Sequence, residues 1–421
     1  MSILIKNIIL NGKKKNIYIE GNKIKKIGKN LNFKAKKKID GKGEKAVIPG
    51  LINCHTHAAM TLFRGYGDDT PLKEWLEKKT WPLEAKLTEE DIYWGTKLAC
   101  LEMIKTGTTF FNDMYWYPET AIEAVKEMSL RAMIGLTLID FDPKGSKENV
   151  EKLYKKLEAK NLEPISLSVA PHSIYSVSKE NLIWAKNFAK KYNLPLHIHL
   201  SETEKEVKDC VKQYGLRPIE YLEKIGFLNE NCFLAHSVWL NDKEIEISAK
   251  RKCSMVYNPC SNMKLASGFF PYQKFKKAGV NICLGTDSAA SNNSLDMFLE
   301  MKFATLLQKV KEKDPTIAPA PEIFETATKN GAKAIKINTG EIKEGKLADL
   351  ILIDPNQVCL KPGHNFISDI VYSATGNCVS DVICNGKILM RERKVEGEQE
   401  IIKKATQRAK ELVKRHRALK R

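Results

Sequence analysis

The sequence predicts an α/β protein: a (β/α)8 TIM-like barrel that carries a small β-sandwich built from both chain ends. Two observations lead there. Eight apolar, strand-like runs alternate with helical patterns between residues 46 and 290, and short strands with hairpin turns flank them on both sides. Strands that alternate with helical stretches read as βαβ units with parallel strands, and eight such units can close a barrel.

Residues 1–49 form the first sandwich part: "ILIKNIIL" ends in Asn-Gly, and "KNIYIE" and "KIKKIG" follow as alternating strands. The second part, 345–399, holds "GKLADLILID" and "VSDVICNGKILMRERKV", in which Asn385-Gly386 is a strong hairpin turn. Gly41-x-Gly43-x-x-Ala46 mimics a dinucleotide-binding fingerprint, but no helical pattern follows it, so it reads as a turn.

The barrel occupies 50–344. Its strand-like runs are "AVIPGLINCHTH", "GTTFFNDMYW", "RAMIGLTLID", "ISLSVAPHS", "PLHIHLSE", "CFLAHSVWL", "CSMVYNPCSN" and "VNICLGTDSAA". Helix starts lie between them, such as Thr88 with Asp91 three residues later, ahead of "IYWGTKLACLEMIK". Residues 400–421 read as a basic C-terminal helix.

Composition narrows the class. At 421 residues and 43% hydrophobic the chain can bury a large core, and its apolar stretches fall short of the roughly 18 residues of a spanning helix. The N-terminal "MSILIKNIIL" lacks the pattern of a secretory leader, so a soluble, cytoplasmic protein is expected, without membrane partners. The ten cysteines are scattered without a C-x-x-C pair and read as reduced thiols. The net charge of +18 comes mostly from lysines spread along the whole length, which reads as a solvated surface and not as a nucleic-acid site.

The polar residues at the strand ends carry the functional signal. His55 and His57 follow strand 1 and project from one face. His172 ends strand 4, His197 and His199 end strand 5, His236 ends strand 6, and Asp287 ends strand 8. Barrel chemistry sits at the C-terminal ends of the strands. Six of the eight histidines fall there, leaving only His364 and His416 outside. Imidazoles with a carboxylate suit a catalytic metal that keeps one position open for water. His55, His57, His199 and Asp287 are a set of that type; on periodicity alone His197 could stand in for His199.

Five motifs, "PGLINCHTHAAMTLFRG", "HIHLSET", "LAHSVWL", "NPCSNMKLASG" and "LGTDSAASNNSLDMF", together resemble the amidohydrolase superfamily. The likeness is to its methylthioadenosine/S-adenosylhomocysteine deaminase branch, which includes the 5′-deoxyadenosine deaminases, and it runs through the barrel and the flanking β segments.

The resemblance implies the following. The metal ligands are His55, His57, His199 and Asp287, with His199 chosen because it stands three residues before the glutamate. Glu202 is the proton shuttle, and His236 is a second histidine beside the metal that, with Asp287, orients the attacking water. Glu84 binds the ribose hydroxyls and His172 faces the substrate. Binuclear relatives carry a bridging lysine at the end of strand 4, where this chain has "SVAPHS", so one divalent metal per chain is expected: zinc first, with iron and manganese also suited to the ligand set.

The implied reaction is hydrolytic removal of the 6-amino group of 5′-modified adenosines, a small-molecule partner, by a homo-oligomer. Guanine or cytosine deaminases and triazine chlorohydrolases are the alternatives on the same fold. A nonspecific nucleic-acid-binding protein is the alternative of another class, and it leaves the strand-end histidines unexplained. The zinc deaminases with a P-C-x-x-C motif are excluded, since Pro259-Cys260 is followed by Ser261, Asn262 and Met263.

Some members that accept S-adenosylhomocysteine carry an arginine near the end of strand 3 to meet the substrate's carboxylate. Leu136 stands at the aligned position, and only Lys144 and Lys147 follow it. A preference for 5′-deoxyadenosine or methylthioadenosine is therefore expected.

Overall fold

A computed structural model describes residues 1–418. The terminal segments contribute β1 (Ser2–Leu10), β2 (Lys13–Glu20), β3 (Lys23–Gly28), β4 (Lys37–Asp40) and β5 (Ala46–Pro49). The barrel strands are β6 (Leu51–Thr56), β7 (Thr108–Tyr115), β8 (Arg131–Leu138), β9 (Ile165–Pro171), β10 (Leu196–Leu200), β11 (Cys232–His236), β12 (Ser254–Tyr257) and β13 (Asn281–Leu284). β14 (Leu350–Ile353), β15 (Val379–Cys384) and β16 (Lys387–Met390) follow them.

β6 to β13 pair in sequence order, every pair parallel. Helices between the strands, such as Glu89–Lys105, cover the outside. That helix starts where the sequence predicts: the Thr88 hydroxyl accepts from the backbone N–H of Asp91, whose carboxylate accepts from the N–H of Thr88. The strands are buried on both faces, as a helix-wrapped parallel sheet requires. In β10, Leu196, Ile198 and Leu200 join the apolar layer that packs on the helices, so the intervening His197 and His199 face inward.

The other eight strands form a single mixed sheet around an apolar core that includes Ile3, Ile5, Ile17, Val47, Leu350 and Ile383. A bulge between Ile5 and Ile8 lets β1 pair β4 with its first half and touch β5 with its second. Asn385 and Gly386 turn the β15–β16 hairpin with φ of 49° and 69°. A Cβ at Gly386 would lie 2.0 Å from the Gly21 carbonyl oxygen, so only glycine fits that corner. The two chain ends thus form the one small β unit expected, and residues 41–44 turn into β5 without a helix.

The last helix, Glu398–Ala418, packs along Glu89–Lys105, where Arg408 Nε donates to Asp91 at 2.8 Å. Residues 419–421 of the expected C-terminal helix lie outside the described residues. Among the described residues no helix is long and apolar enough to cross a membrane.

Candidate active site

The first and last barrel strands meet at the residues with the strongest chemical signal. The Asp287 backbone N–H donates to the His55 carbonyl oxygen at 2.9 Å, and the Thr56 hydroxyl donates to the Asp287 carbonyl oxygen at 2.9 Å. His57, His172, His199, Glu202, His236, Asp287 and Glu84 all line one cavity of about 400 Å³ at the C-terminal end of the barrel. His55 lies fully buried beside them.

His55, His57 and His199 bring ring nitrogens within 4.8 Å of one another, and ring nitrogens of His55 and His236 meet a carboxylate oxygen of Asp287 within the same distance. The Nδ1–H of His57 donates to the Met114 carbonyl oxygen at 2.5 Å, and that of His199 to the His172 carbonyl oxygen at 2.7 Å. Each Nε2 is then left with a lone pair, and these two nitrogens lie 3.2 Å apart. The Nε2 atoms of His57 and His55 lie 3.2 and 3.4 Å from Asp287 Oδ1, and the buried His55 Nε2 has no hydrogen-bond partner.

Lone pairs and a carboxylate oxygen converging without a donor between them repel one another unless a cation joins them. A divalent metal therefore fits this set, and the tethered Nδ1 atoms are what hold imidazole ligands in orientation. Burial pushes His55 down to about 4 and His199 well below its ordinary range, which keeps both rings neutral and able to ligate. Burial alone would raise Asp287, but the imidazoles of His55 and His57 packed against it outweigh that effect and hold the carboxyl well below its ordinary range. Asp287 Oδ2 accepts from Ser261 at 2.6 Å and Ser291 at 3.0 Å, so Oδ1 is the oxygen that faces the imidazoles.

His197 takes a different place. Its Nε2 lies 2.9 Å from His55 Nδ1, with the two rings edge to face, so it supports His55 from the side away from the nitrogen cluster. The ambiguity between His197 and His199 that periodicity leaves open has this geometric basis: both face inward, at different depths.

The side-chain amides of Asn262 and Asn258 donate to His236 Nδ1 at 3.0 and 3.3 Å. The proton of this ring then sits on Nε2, 3.9 Å from Glu202 Oε2. His236 presents a donor to the cavity, and burial holds it near 4, in the neutral form. Glu202 accepts from the Ser267 hydroxyl at 3.2 Å and is pushed by burial to about 8, a value suited to a group that takes and returns a proton.

The backbone here is strained. Ser201, His236 and Asp287 have φ of 48°, 70° and 59°, the left-handed region that non-glycine residues seldom enter.

Glu84 sits on the short helix Trp81–Glu84 at the mouth, and its carboxyl is raised by burial against the lowering effect of the Tyr115 hydroxyl. His172 Nδ1 meets the Ser176 hydroxyl at 2.8 Å, and its ring lies against His199 with centroids 4.7 Å apart. The rings of Trp81 and Phe141 meet 5.3 Å apart over the opening.

Leu136 does not occupy the position expected for it. It is fully buried in the apolar layer between β8 and the helices, because Ala132, Ile134, Leu136 and Leu138 all point outward along the strand. Thr137 and Ile139, one residue out of phase, line the cavity instead. Lys144 lies 3.7 Å from Asp142 and over the Trp116 ring at 5.5 Å, and Lys147 lies 3.7 Å from Glu148. Among the described residues no lysine or arginine lines the cavity, whose charged walls are the acidic Glu84, Asp142, Glu202 and Asp287.

Sequence reasoning missed the hydroxyl and amide residues that orient these groups. Asn258, Ser261, Asn262 and Ser267 all belong to "NPCSNMKLASG", a motif noticed for its resemblance alone.

The profile described as "Amidohydrolase family" matches residues 46–389. The chain is 48% identical to 5-methylthioadenosine/S-adenosylhomocysteine deaminase 1 of Archaeoglobus fulgidus over 419 residues, covering 97% of this chain and 99% of the relative. It is 47% identical to the 5′-deoxyadenosine deaminase of Methanocaldococcus jannaschii over 400 residues, 93% of this chain and 95% of that one. Among solved structures, a zinc-bound adenosine deaminase from Xanthomonas campestris superimposes with a TM-score of 0.92 at 32% identity, covering 98% of both chains.

Proposed function

Since the chain belongs to the amidohydrolase family, we propose that it hydrolyses the 6-amino group of 5′-modified adenosines, giving the inosine analogue and ammonia. The observation that carries this reading is a pair of overlapping ligand groups, His55 with His57 and His199 and His55 with His236 and Asp287, beside a cavity that also holds Glu202 and Glu84. One divalent metal, zinc first, is the cofactor we assign, with those four residues as its ligands. When bound, it supplies the Lewis acidity that makes water nucleophilic near neutral pH.

The chain's own groups do the rest. Glu202, shielded from solvent and raised by burial, takes the proton of the attacking water and passes it to ring N1, then assists the departure of ammonia. His236 donates its Nε2–H to the attacking oxygen. Ser261 and Ser291 fix Asp287, so its free oxygen stays directed at the imidazoles. Glu84 accepts from the ribose hydroxyls and His172 lies against the substrate, while Trp81 and Phe141 close the mouth and exclude water.

The absence of basic side chains among the cavity-lining residues favours a short, uncharged 5′ group over one that ends in a carboxylate. We further read the protein as a cytoplasmic homo-oligomer that acts on free nucleosides, in keeping with its ten free cysteines.

The test is an ammonia-release screen with adenosine, 5′-deoxyadenosine, methylthioadenosine, S-adenosylhomocysteine, adenine, guanine and cytosine. Release from the adenosines supports the reading, and release from the free bases alone overturns it.

A further inference from the structure

Glu206 has no part in the chemistry above, yet it is buried and spends both carboxylate oxygens on the backbone that carries Glu202. It stands in the first turn of the helix Glu204–Tyr214, whose N-cap is Thr203. A glutamate at this third helical position ordinarily reaches back to the N-cap backbone N–H. Here Oε1 accepts from the Ser201 N–H at 2.7 Å and Oε2 from the Glu202 N–H at 2.8 Å. On the other side, the Ser201 carbonyl oxygen accepts from the N–H groups of Val238 and Trp239 at 3.1 and 3.0 Å.

The peptide linking Ser201 to Glu202 is thus held from both sides while Ser201 sits at a φ of 48°. A serine keeps that conformation only when its surroundings impose it.

We infer that Glu206 is a positioning residue for the reaction: it clamps the Ser201–Glu202 backbone so that the Glu202 carboxylate stays beside Ser267 and His236. It touches neither substrate nor metal ligand and acts through Glu202. The inference rests on the reading of Glu202 as the proton shuttle.

Loss of the clamp lets the backbone relax toward an unstrained φ and moves the Glu202 carboxylate. A misplacement of about 1 Å costs about 10²-fold in rate. Glu206→Ala is therefore expected to lower kcat on 5′-deoxyadenosine by about 10²-fold, with KM and the metal content of the holoenzyme little changed. Glu206→Gln keeps the shape and one acceptor, and is expected to fall between wild type and Glu206→Ala.

The deciding experiment is a double-mutant cycle with Glu202→Gln, read as kcat, KM and metal content. If Glu206 acts through Glu202, adding Glu206→Ala to Glu202→Gln costs little further rate. Multiplicative losses, or a loss seen mainly in KM or metal content, overturn the inference and leave the role of Glu202 standing. Near-normal turnover of Glu202→Gln alone overturns the shuttle reading, and the clamp falls with it. Should Glu206→Ala fail to fold, the same cycle run with Glu206→Gln decides the matter.

Discussion

Asp287 donates its backbone N–H to the carbonyl oxygen of His55, so a bond that ties the segment just after the last barrel strand to the first strand also joins two of the proposed ligands. Closure of the barrel and assembly of the site are one event. A metal held there binds the folded chain and not the unfolded one, so it stabilises the fold by mass action. Stripping the metal with a chelator is expected to lower Tm, and stoichiometric zinc to restore it. An unchanged Tm would show that the closed barrel does not depend on the ion.

His199→Ala removes a proposed ligand and is expected to abolish tight binding, whereas His197→Ala removes only the support of His55 Nδ1. Such supporting partners typically contribute about 10- to 100-fold in metal affinity. Elemental analysis of purified protein is expected to give about one metal per chain in wild type, with His197→Ala still binding but yielding to weaker chelators. Two tightly held ions per chain would overturn the mononuclear reading.

Glu84→Ala is expected to reduce kcat/KM for ribonucleosides more than for their 2′,3′-dideoxy analogues, because only a diol can donate to the carboxylate. Equal losses on both substrates would assign Glu84 to the support of the helix after Thr88 instead.

Glu300, which does not line the cavity, makes a pH prediction. It is fully buried and pushed by burial to about 8, against the 4.5 of an exposed glutamate. With the folded value raised, the folded chain keeps a proton that the unfolded chain releases. The stability gained is complete below about pH 4.5, declines as pH rises, and is lost above about 8. The slope is at most about 1.4 kcal/mol per pH unit. Glu300→Gln, which cannot titrate, is expected to show a shallower fall in urea unfolding at pH 5, 6.5 and 8 (nominal, about one unit apart or more). Parallel profiles would mean that Glu300 holds its proton equally in both states.

The strand-end histidines were legible in the sequence because two strong regularities coincide there: β-α alternation fixes where strands end, and imidazoles are rare elsewhere in this chain. The residues around them were not. Ser261, Ser291, Asn258 and Asn262 sit in loops and a short helix where no periodicity marks which polar side chains converge. The left-handed φ of Ser201, His236 and Asp287 has no composition signal, since none of the three is glycine. Leu136 shows the other failure: on a strand, an alignment wrong by one residue exchanges the cavity face for the helix face. The β unit that both chain ends build was legible from their short strands and turns, whereas the register shift between Ile5 and Ile8 was not, although the alternation of isoleucines breaks there.

That one-residue phase decides how substrate preference is to be tested. Leu136→Arg buries an unpaired charge among apolar side chains, and it is expected to destabilise the fold by several kcal/mol without offering a carboxylate any contact. Phe141 is the better site: it lines the cavity mouth and is 58% exposed, so an arginine there keeps its charge solvated and can still reach the opening. The guanidinium fork matches a carboxylate in a way lysine does not. In wild type, kcat/KM is expected to be higher for 5′-deoxyadenosine and methylthioadenosine than for S-adenosylhomocysteine. Phe141→Arg is expected to move the ratio toward the last by about tenfold, the weight of one exposed charge-assisted contact of about 1.4 kcal/mol. A wild-type preference for S-adenosylhomocysteine would mean that Lys144 leaves Asp142 and Trp116 to serve its carboxylate, and Lys144→Ala would then remove that preference selectively.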